Sequence, residues 1–304
     1  MGPVSTPKVQ PDVRHARTDS VVPVAAPNKA ARNKGRWRWV WGALVVAGGV
    51  VWSSSLRIPA GPAAGASFDG TSAAAAPRQT FRVAVFNIHG GRGTDGRRDL
   101  ARTADCLRGF DVAGLNEVLG PTSWSRDSDQ CRQLGEALGV RWLFAPTESR
   151  WWDGSFGNGM LSARPVVSWQ RIPLPLSGAH TYRNLILSRV DVDGRCVNVL
   201  LTHLDSRDNA RRQEQLRTVG DLFLSLSPPA VLMGDMNTQP DDPQMQRLLV
   251  APGVVDAIAA SAAVVPQRRI DWILTRGLRS IAAGTGELGP SDHALYWAEL
   301  QIVD

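Results

Sequence analysis

The chain carries an acid and an imidazole side by side, Asp292-His293, just ahead of the apolar run Ala294–Leu300. Polar residues of the same kind stand where other apolar runs stop. Asn87 follows Val83–Phe86, and Asn116 and Glu117 follow Val112–Leu115. His203 and Asp205 lie just beyond Val199–Leu201, and Asp235 and Asn237 just beyond Val231–Met233. Asp271 sits within Ile270–Ile273, where a carboxylate is expensive to bury unless it is paired. Singly, each residue has a plain alternative: Asn87 or Asp235 capping a turn, Glu117 a surface acid, a histidine that only packs. Together they form a set of hard oxygen donors and imidazoles. That set suits hydrated Mg²⁺ or Mn²⁺ better than structural zinc, for which no Cys-x-x-Cys spacing is present.

Seven motifs occur in order: FNIHG, LNEV, FGNGMLSARPV, THLDS, GDMNT, RIDWIL and SDHAL. In this order they resemble the endonuclease/exonuclease/phosphatase superfamily over residues 80–304. The resemblance implies a DNase I-like fold, a four-layered α/β sandwich of two packed mixed sheets flanked by helices. It also implies metal-dependent hydrolysis of phosphoester bonds. By motif, Glu117 resembles the principal metal ligand, with Asn87 supporting it and Asp292 near the metal or water. Asp235 and Asn237 resemble the pair that positions water and phosphate. His293 resembles the phosphate-contacting histidine, oriented by Asp271, and His203 the histidine near the leaving group. A phosphodiester is anionic and repels hydroxide, so a divalent cation, a carboxylate that takes the proton of water and a carboxylate-backed imidazolium all fit the reaction.

The pattern departs from the mononuclear DNases, which pair the first histidine with a glutamate on a middle strand. Here that stretch, SFGNGML, holds no acid. Asp205 or Glu148 substitutes, or His203 stands unsupported. Asn158 is either a phosphate neighbour or a turn residue between two glycines. Arg183 is either a phosphate contact or a surface arginine. Arg207, Arg211, Arg212 and Arg217 form either a basic rim or a solvated helix face. Trp151 and Trp152 are candidates for base stacking or membrane contact, with at least one of them expected in the core.

The elements that must position these residues alternate. Thr80–Ile88 and Asp111–Val118 read as strands, with an amphipathic helix between them over residues 97–110. A second helix is expected over 127–139, with Leu134 and Leu138 four apart. The runs Arg195–Leu204 and Ala230–Asn237 read as continuous apolar strands. Between them Leu216, Val219, Phe223 and Leu226 share one helix face. Residues 269–277 and 293–302 close the chain as strands. Apolar strands covered by helices imply layered α/β architecture.

Charge is distributed unevenly. Of the 304 residues, the first 39 carry eight basic and two acidic residues, which is the whole net excess of +6 and includes every lysine. The body is balanced, which argues against a globally basic nucleic-acid binder. Residues 1–36 are expected to be a disordered basic cytoplasmic tail. Residues 37–56 are expected to be a transmembrane signal-anchor or a signal peptide cleaved near Ala66-Ser67, and 57–79 a flexible linker. Either alternative puts the catalytic body, 80–304, outside the cytoplasm. Cys106 and Cys131 either pair or remain thiols. The expected partners are a phosphoester (nucleic acid, phospholipid headgroup or small phosphate ester) and a membrane, with no protein partner. The alternative function is a catalytically inactive relative that binds through the same cleft.

Overall fold

The computed structural model describes residues 29–55, 58–72, 80–121, 128–149, 155–175 and 182–303. The chain forms two compact units, Met1–Val50 and Val51–Asp304. Two seven-stranded mixed sheets build the larger unit. The first runs in the order β1 (Ile58–Pro59), β5 (Arg141–Ser149), β6 (Phe156–Ser162), β4 (Val112–Leu119), β3 (Thr80–Asn87), β14 (Tyr296–Ile302), β13 (Leu278–Thr285). The second runs β11 (Val255–Asp256), β12 (Asp271–Arg276), β10 (Ala230–Asp235), β9 (Arg195–His203), β8 (Asn184–Val192), β7 (Val166–Pro173), β2 (Ala63–Gly65).

The central strands are buried on both faces. Val83, Val85, Met160, Ile186, Val199, Leu201, Val231 and Met233 pack between the sheets. Ala84, Phe86 and Leu115 pack outward against α2 (Leu100–Leu107) and α3 (Gln130–Leu138), from which Leu107 and Leu134 face them. Leu200 and Leu232 do the same against α4 (Asn209–Ser225) and α5 (Pro243–Leu249), where Leu216, Phe223 and Met245 meet them. Two sheets with helices outside make the four layers expected. Aspartates start the helices: Asp99, Asp129, Asp208 and Asp242 each accept a backbone N–H of the first turn. α3 ends where Gly139 turns left-handed, φ 66°.

Within the stretch expected to be a flexible linker, residues 58–72 join the sheets. β1 pairs with β5, β2 pairs with β7, Phe68 is buried and Asp69 bridges Trp142. Edge pairing uses backbone N–H and C=O, so a stretch of small residues can join a sheet without large apolar side chains. Residues 73–79 lie outside the described ones, as do Trp151 and Trp152. β5, β6, β7, β8, β11 and β13 are additional strands that the apolar runs did not mark.

The smaller unit contains most of α1 (Lys29–Ser55), on which Trp37, Trp39 and Trp41 are exposed. Among the described residues no helix is long and apolar enough to cross a membrane. The span expected over 37–56 runs past Ser55, the last described residue of that helix. Leu56, its expected end, lies outside the described residues. The three cysteines are free thiols, so Cys106 and Cys131 are not bridged.

One glycine controls how the site is presented. Gly234 has φ 148°, and a Cβ there would lie 1.9 Å from the carbonyl oxygen of Thr202 on the neighbouring strand. Asp235 follows directly. Gly234→Ala is expected to destabilise the protein by about 3 kcal/mol through overpacking and backbone strain, read as a lowered urea midpoint at unchanged m-value. A midpoint equal to wild type would show that the strands separate at no cost.

Candidate active site

The polar residues converge because the strands that carry them end at one edge. Parallel β3 and β4 put Asn87 in register with Asn116, and parallel β9 and β10 put His203 in register with Asp235. Antiparallel β12 starts at that edge, so Asp271 faces Asp235. β14 also runs antiparallel, and the loop ahead of it delivers Ser291–His293. There the Ser291 hydroxyl donates to the carbonyl of Asn87 at 2.7 Å.

Asp235 is the hub. Asn87 Nδ2 donates to its Oδ2 at 3.0 Å, and the backbone N–H of Asn237 to its Oδ1 at 3.0 Å. His203 Nε2 lies 3.5 Å and His293 Nε2 3.8 Å from the same Oδ2. Asp271 Oδ2 holds His293 Nδ1 at 2.8 Å. Burial, and then repulsion from Asp271, raises the Asp235 pKa to about 7, against the pull of His293, Asn87 and Asn237. Burial alone would lower His293. The hydrogen bond and charge of Asp271, helped by Asp235 and Asp292, outweigh it and raise the imidazole to about 9. At neutral pH the site therefore holds a carboxylate near its midpoint beside an imidazolium, a matched base and cation.

Glu117 lies at a bulge where β4 shifts register against β6, and its φ is 56°. Its carboxylate makes no hydrogen bond or ion pair among the described residues. Left-handed backbone in a glutamate costs about 1–2 kcal/mol, and bulges of this kind re-aim a side chain. Glu117, Asn87 Oδ1 and Asp292 supply the hard oxygens that Mg²⁺ or Mn²⁺ takes, and the uncommitted carboxylate fits such an ion. Asp292 is exposed and lies 3.3 Å from His89 Nδ1. The tightest group of acid and imidazole ligand atoms among the described residues, Asp235, Asp271 and His293, lies within 4.8 Å. Within it, His293 Nδ1 and Asp271 Oδ2 are engaged with each other at 2.8 Å. Asn237, at φ 48°, donates one amide hydrogen to the carbonyl of Leu204 at 3.1 Å and keeps a second.

Three expectations are corrected. Asn158 is a strand residue of β6, not a turn. Its oxygen accepts from Asn116 Nδ2 at 2.8 Å and its Nδ2 donates to Asn184 Oδ1 at 2.9 Å and to the Asn184 carbonyl, so its amide braces the site and is not free for phosphate. Its glycine neighbours are dictated by close approach, since a Cβ at Gly157 would meet the carbonyl oxygen of Ala145 and one at Gly159 the sulfur of Cys131, both at 2.2 Å. Arg183 is no surface residue; it is buried against His203. Asp205 does not support His203, because it binds Arg211 Nη1 at 2.7 Å and the N–H groups of Arg207 and Asp208. Arg211 is accordingly buried and paired, outside any basic rim. Sequence reasoning missed Asn184 and the bracing role of Asn116. Asn184 stands next to Arg183 with no strand-end signal, and only a three-dimensional partner gives either amide its meaning.

The Endonuclease/Exonuclease/phosphatase family model matches residues 84–293, from β3 through His293. The chain belongs to this family. Among solved structures, it is similar to an endonuclease/exonuclease/phosphatase from Beutenbergia cavernae, with 28% identity and a TM-score of 0.60 over 74% of this chain and 72% of that one. D. rerio TDP2 complexed with single-strand DNA product gives 19% identity and a TM-score of 0.56 over 73% and 99% of the two chains. The mannosyl-6-phosphatase of Bacteroides thetaiotaomicron gives 16% identity and a TM-score of 0.56 over 74% and 100%. Among curated proteins, none matches the chain significantly. The last two structures share the fold; the family membership implies a hydrolase.

The two shifted groups fix a pH dependence. Asp235 becomes a base as pH rises through about 7, and His293 loses its proton as pH rises through about 9. Turnover of a phosphoester is expected to follow a bell between those limbs in a kcat/KM–pH profile. His293→Gln is expected to remove the alkaline limb. An alkaline limb that survives in that variant would take His293 out of the titration.

Proposed function

We propose that the protein is a divalent-metal-dependent phosphoester hydrolase, acting most readily on phosphodiesters, held at a membrane by its N-terminal segment with the catalytic body outside the cytoplasm. The observation that carries the catalytic reading is Asp235, raised to about 7, between an Asp271-backed imidazolium and Asn87, with the partner-free carboxylate of Glu117 on the neighbouring strand end. Mg²⁺ or Mn²⁺, when bound by Glu117, Asn87 and Asp292, supplies charge neutralisation at a phosphate oxygen. The chain does the rest. Asp235 accepts the proton of the attacking water through Oδ1 or Oδ2. His293, fixed through Nδ1 by Asp271, turns Nε2–H toward the anionic phosphate. The second amide hydrogen of Asn237 is available to a phosphate oxygen without adding negative charge. A binding module gains nothing from a carboxylate tuned to neutrality or from strained backbone at Glu117 and Asn237, and this favours catalysis over the inactive alternative.

Substrate identity rests on assay. Fold neighbours include a TDP2 held with single-strand DNA product and a mannosyl-6-phosphatase, so nucleic acid and small phosphate esters both belong in the panel, with phospholipids added for a membrane location. With the full chain and Mg²⁺ or Mn²⁺, one of these classes is expected to be cleaved. Glu117→Gln is expected to lower kcat by about 10³-fold while leaving the melting temperature in EDTA within a degree or so of wild type. A variant with wild-type rates would remove Glu117 from the site, and no metal-dependent turnover on any class would overturn the hydrolase reading.

The exposed Trp37, Trp39 and Trp41 and the basic tail support membrane attachment. The full-length protein is expected to stay with membranes through high salt and carbonate. Recovery of the intact chain in the soluble fraction would overturn the attachment, and a shorter soluble species starting near Ser67 would show cleavage instead.

A further inference from the structure

The two histidines of the site are oriented by opposite charges. Behind His293 stands a carboxylate. Behind His203 stands a guanidinium: Arg183 Nη1 lies 3.2 Å from His203 Nδ1, and both residues are buried. Arg183 is placed there by its backbone, whose carbonyl accepts from Leu174 N–H at 2.9 Å, and by β8, which starts at the next residue and pairs with β9. A guanidinium has only donors and stays protonated in proteins. Burial opposes its charge, but Asp235, Asp205, Glu117 and Glu148 all favour it. Its N–H can meet Nδ1 only if that nitrogen carries the lone pair. The single ring proton of a neutral His203 then sits on Nε2, the nitrogen that faces Asp235 Oδ2 at 3.5 Å. An imidazolium would turn two N–H groups against each other.

We propose that Arg183 is a positioning residue that fixes His203 as the neutral Nε2–H tautomer, so that His203 serves the reaction as a hydrogen-bond donor to a phosphate oxygen and not as a proton-releasing acid. The role rests on the phosphoester-hydrolase reading of the same site. Burial first, then the charges of Arg183 and His293, hold His203 well below the ordinary histidine value, in line with this geometry. Asp235 is the acidic group that faces the ring. A neutral imidazole that released Nε2–H would become an imidazolate, so a leaving alkoxide takes its proton elsewhere, and His203 contributes only electrostatic stabilisation. Among the described residues, Arg183 Nε is buried with no hydrogen-bond partner.

The test is ¹⁵N-histidine NMR of the full chain, with the His203 signals assigned by their loss in His203→Asn. Wild type is expected to show Nδ1 bare and Nε2 protonated from mildly acidic to alkaline pH, while His293 reads as an imidazolium at neutrality. Inorganic phosphate added with Mg²⁺ is expected to shift the Nε2–H proton downfield. Arg183→Met is expected to give His203 an ordinary titration and to lower kcat about 10²-fold. Arg183→Lys, which keeps a donor, is expected to restore the tautomer and part of the rate, and it serves if the methionine variant does not fold. An imidazolium or Nδ1–H pattern in wild type, a methionine variant that leaves the pattern unchanged, or an Nε2–H signal indifferent to phosphate would overturn the proposal. Because the tautomer is read without turnover, failure of every hydrolysis assay with the pattern intact would strike the hydrolase reading alone.

Discussion

A chain of buried amides sets the relation between the two sheets at the catalytic edge. Asn184, at the start of β8 in the second sheet, donates to the carbonyls of Pro146 and Ala145 in the first. Asn158 of the first sheet donates to Asn184 and accepts from Asn116, and Asn116 Nδ2 also reaches the Thr202 carbonyl at 3.1 Å. Asn116 Oδ1 then accepts the backbone N–H of Asp235 at 2.9 Å. The core between the sheets is aliphatic and non-directional, and it tolerates sliding by a fraction of an ångström. Hydrogen bonds of this kind do not, because each buried amide left unpaired costs about 1–3 kcal/mol. The network adds little to stability when complete, yet it makes any other alignment of β4 against β10 expensive. Asp235, and through it Asn87 and both histidines, takes its position from that alignment.

Strain follows the same edge. His89, Glu117 and Asn237 are left-handed without being glycine, and Asp193 in a hairpin turn is the one further such residue among those described. Conformations of this kind persist where surrounding contacts over-determine them. The bulge at Glu117 lies between paired segments of β4 and β6, with Asn116 pinned by the amide chain on one side and Val118 by the ladder on the other. The N–H of His89 is held by Asn87 Oδ1 at 3.1 Å, and that of Asn237 by Asp235 Oδ1. Rigid strand ends thus fix the strained residues, Glu117 at the bulge among them.

The catalytic strand ends were legible in the sequence because of how central strands are buried. A strand covered on both faces reads as an unbroken apolar run, so the polar residue that ends it stands out, as Asn87, Glu117, His203 and Asp235 do. Asp271 stood out for the converse reason, a carboxylate within an apolar stretch. Asn158 and Arg183 carry no such mark. Asn158 is one of several polar residues near glycines, and Arg183 is one of many arginines. Each acquires its role only when β6 or β8 is placed beside a strand far away in sequence. β5, β7, β8 and β13 escaped notice because half-buried or mixed strands carry a weaker period. β1 and β2 escaped because edge pairing through the backbone leaves little trace in side chains.

The charge arrangement suits the proposed dependence on a cation. Glu117, Asp235, Asp271 and Asp292 face an imidazolium, His293, and one guanidinium, Arg183, while Asp205 is spent on Arg211. A phosphate anion approaching these residues alone meets more negative than positive charge, and burial strengthens the repulsion by lowering the local dielectric. The body offers no compensating field, because its arginines and acids are equal in number and its excess positive charge lies in the first 39 residues. In the proposed reading, a divalent ion held by Glu117, Asn87 and Asp292 would reverse that balance and would favour the ionised form of Asp235. The same acids that would repel a phosphate are what a hard cation requires, so in the proposed reading substrate affinity and base strength would both be tied to one binding event.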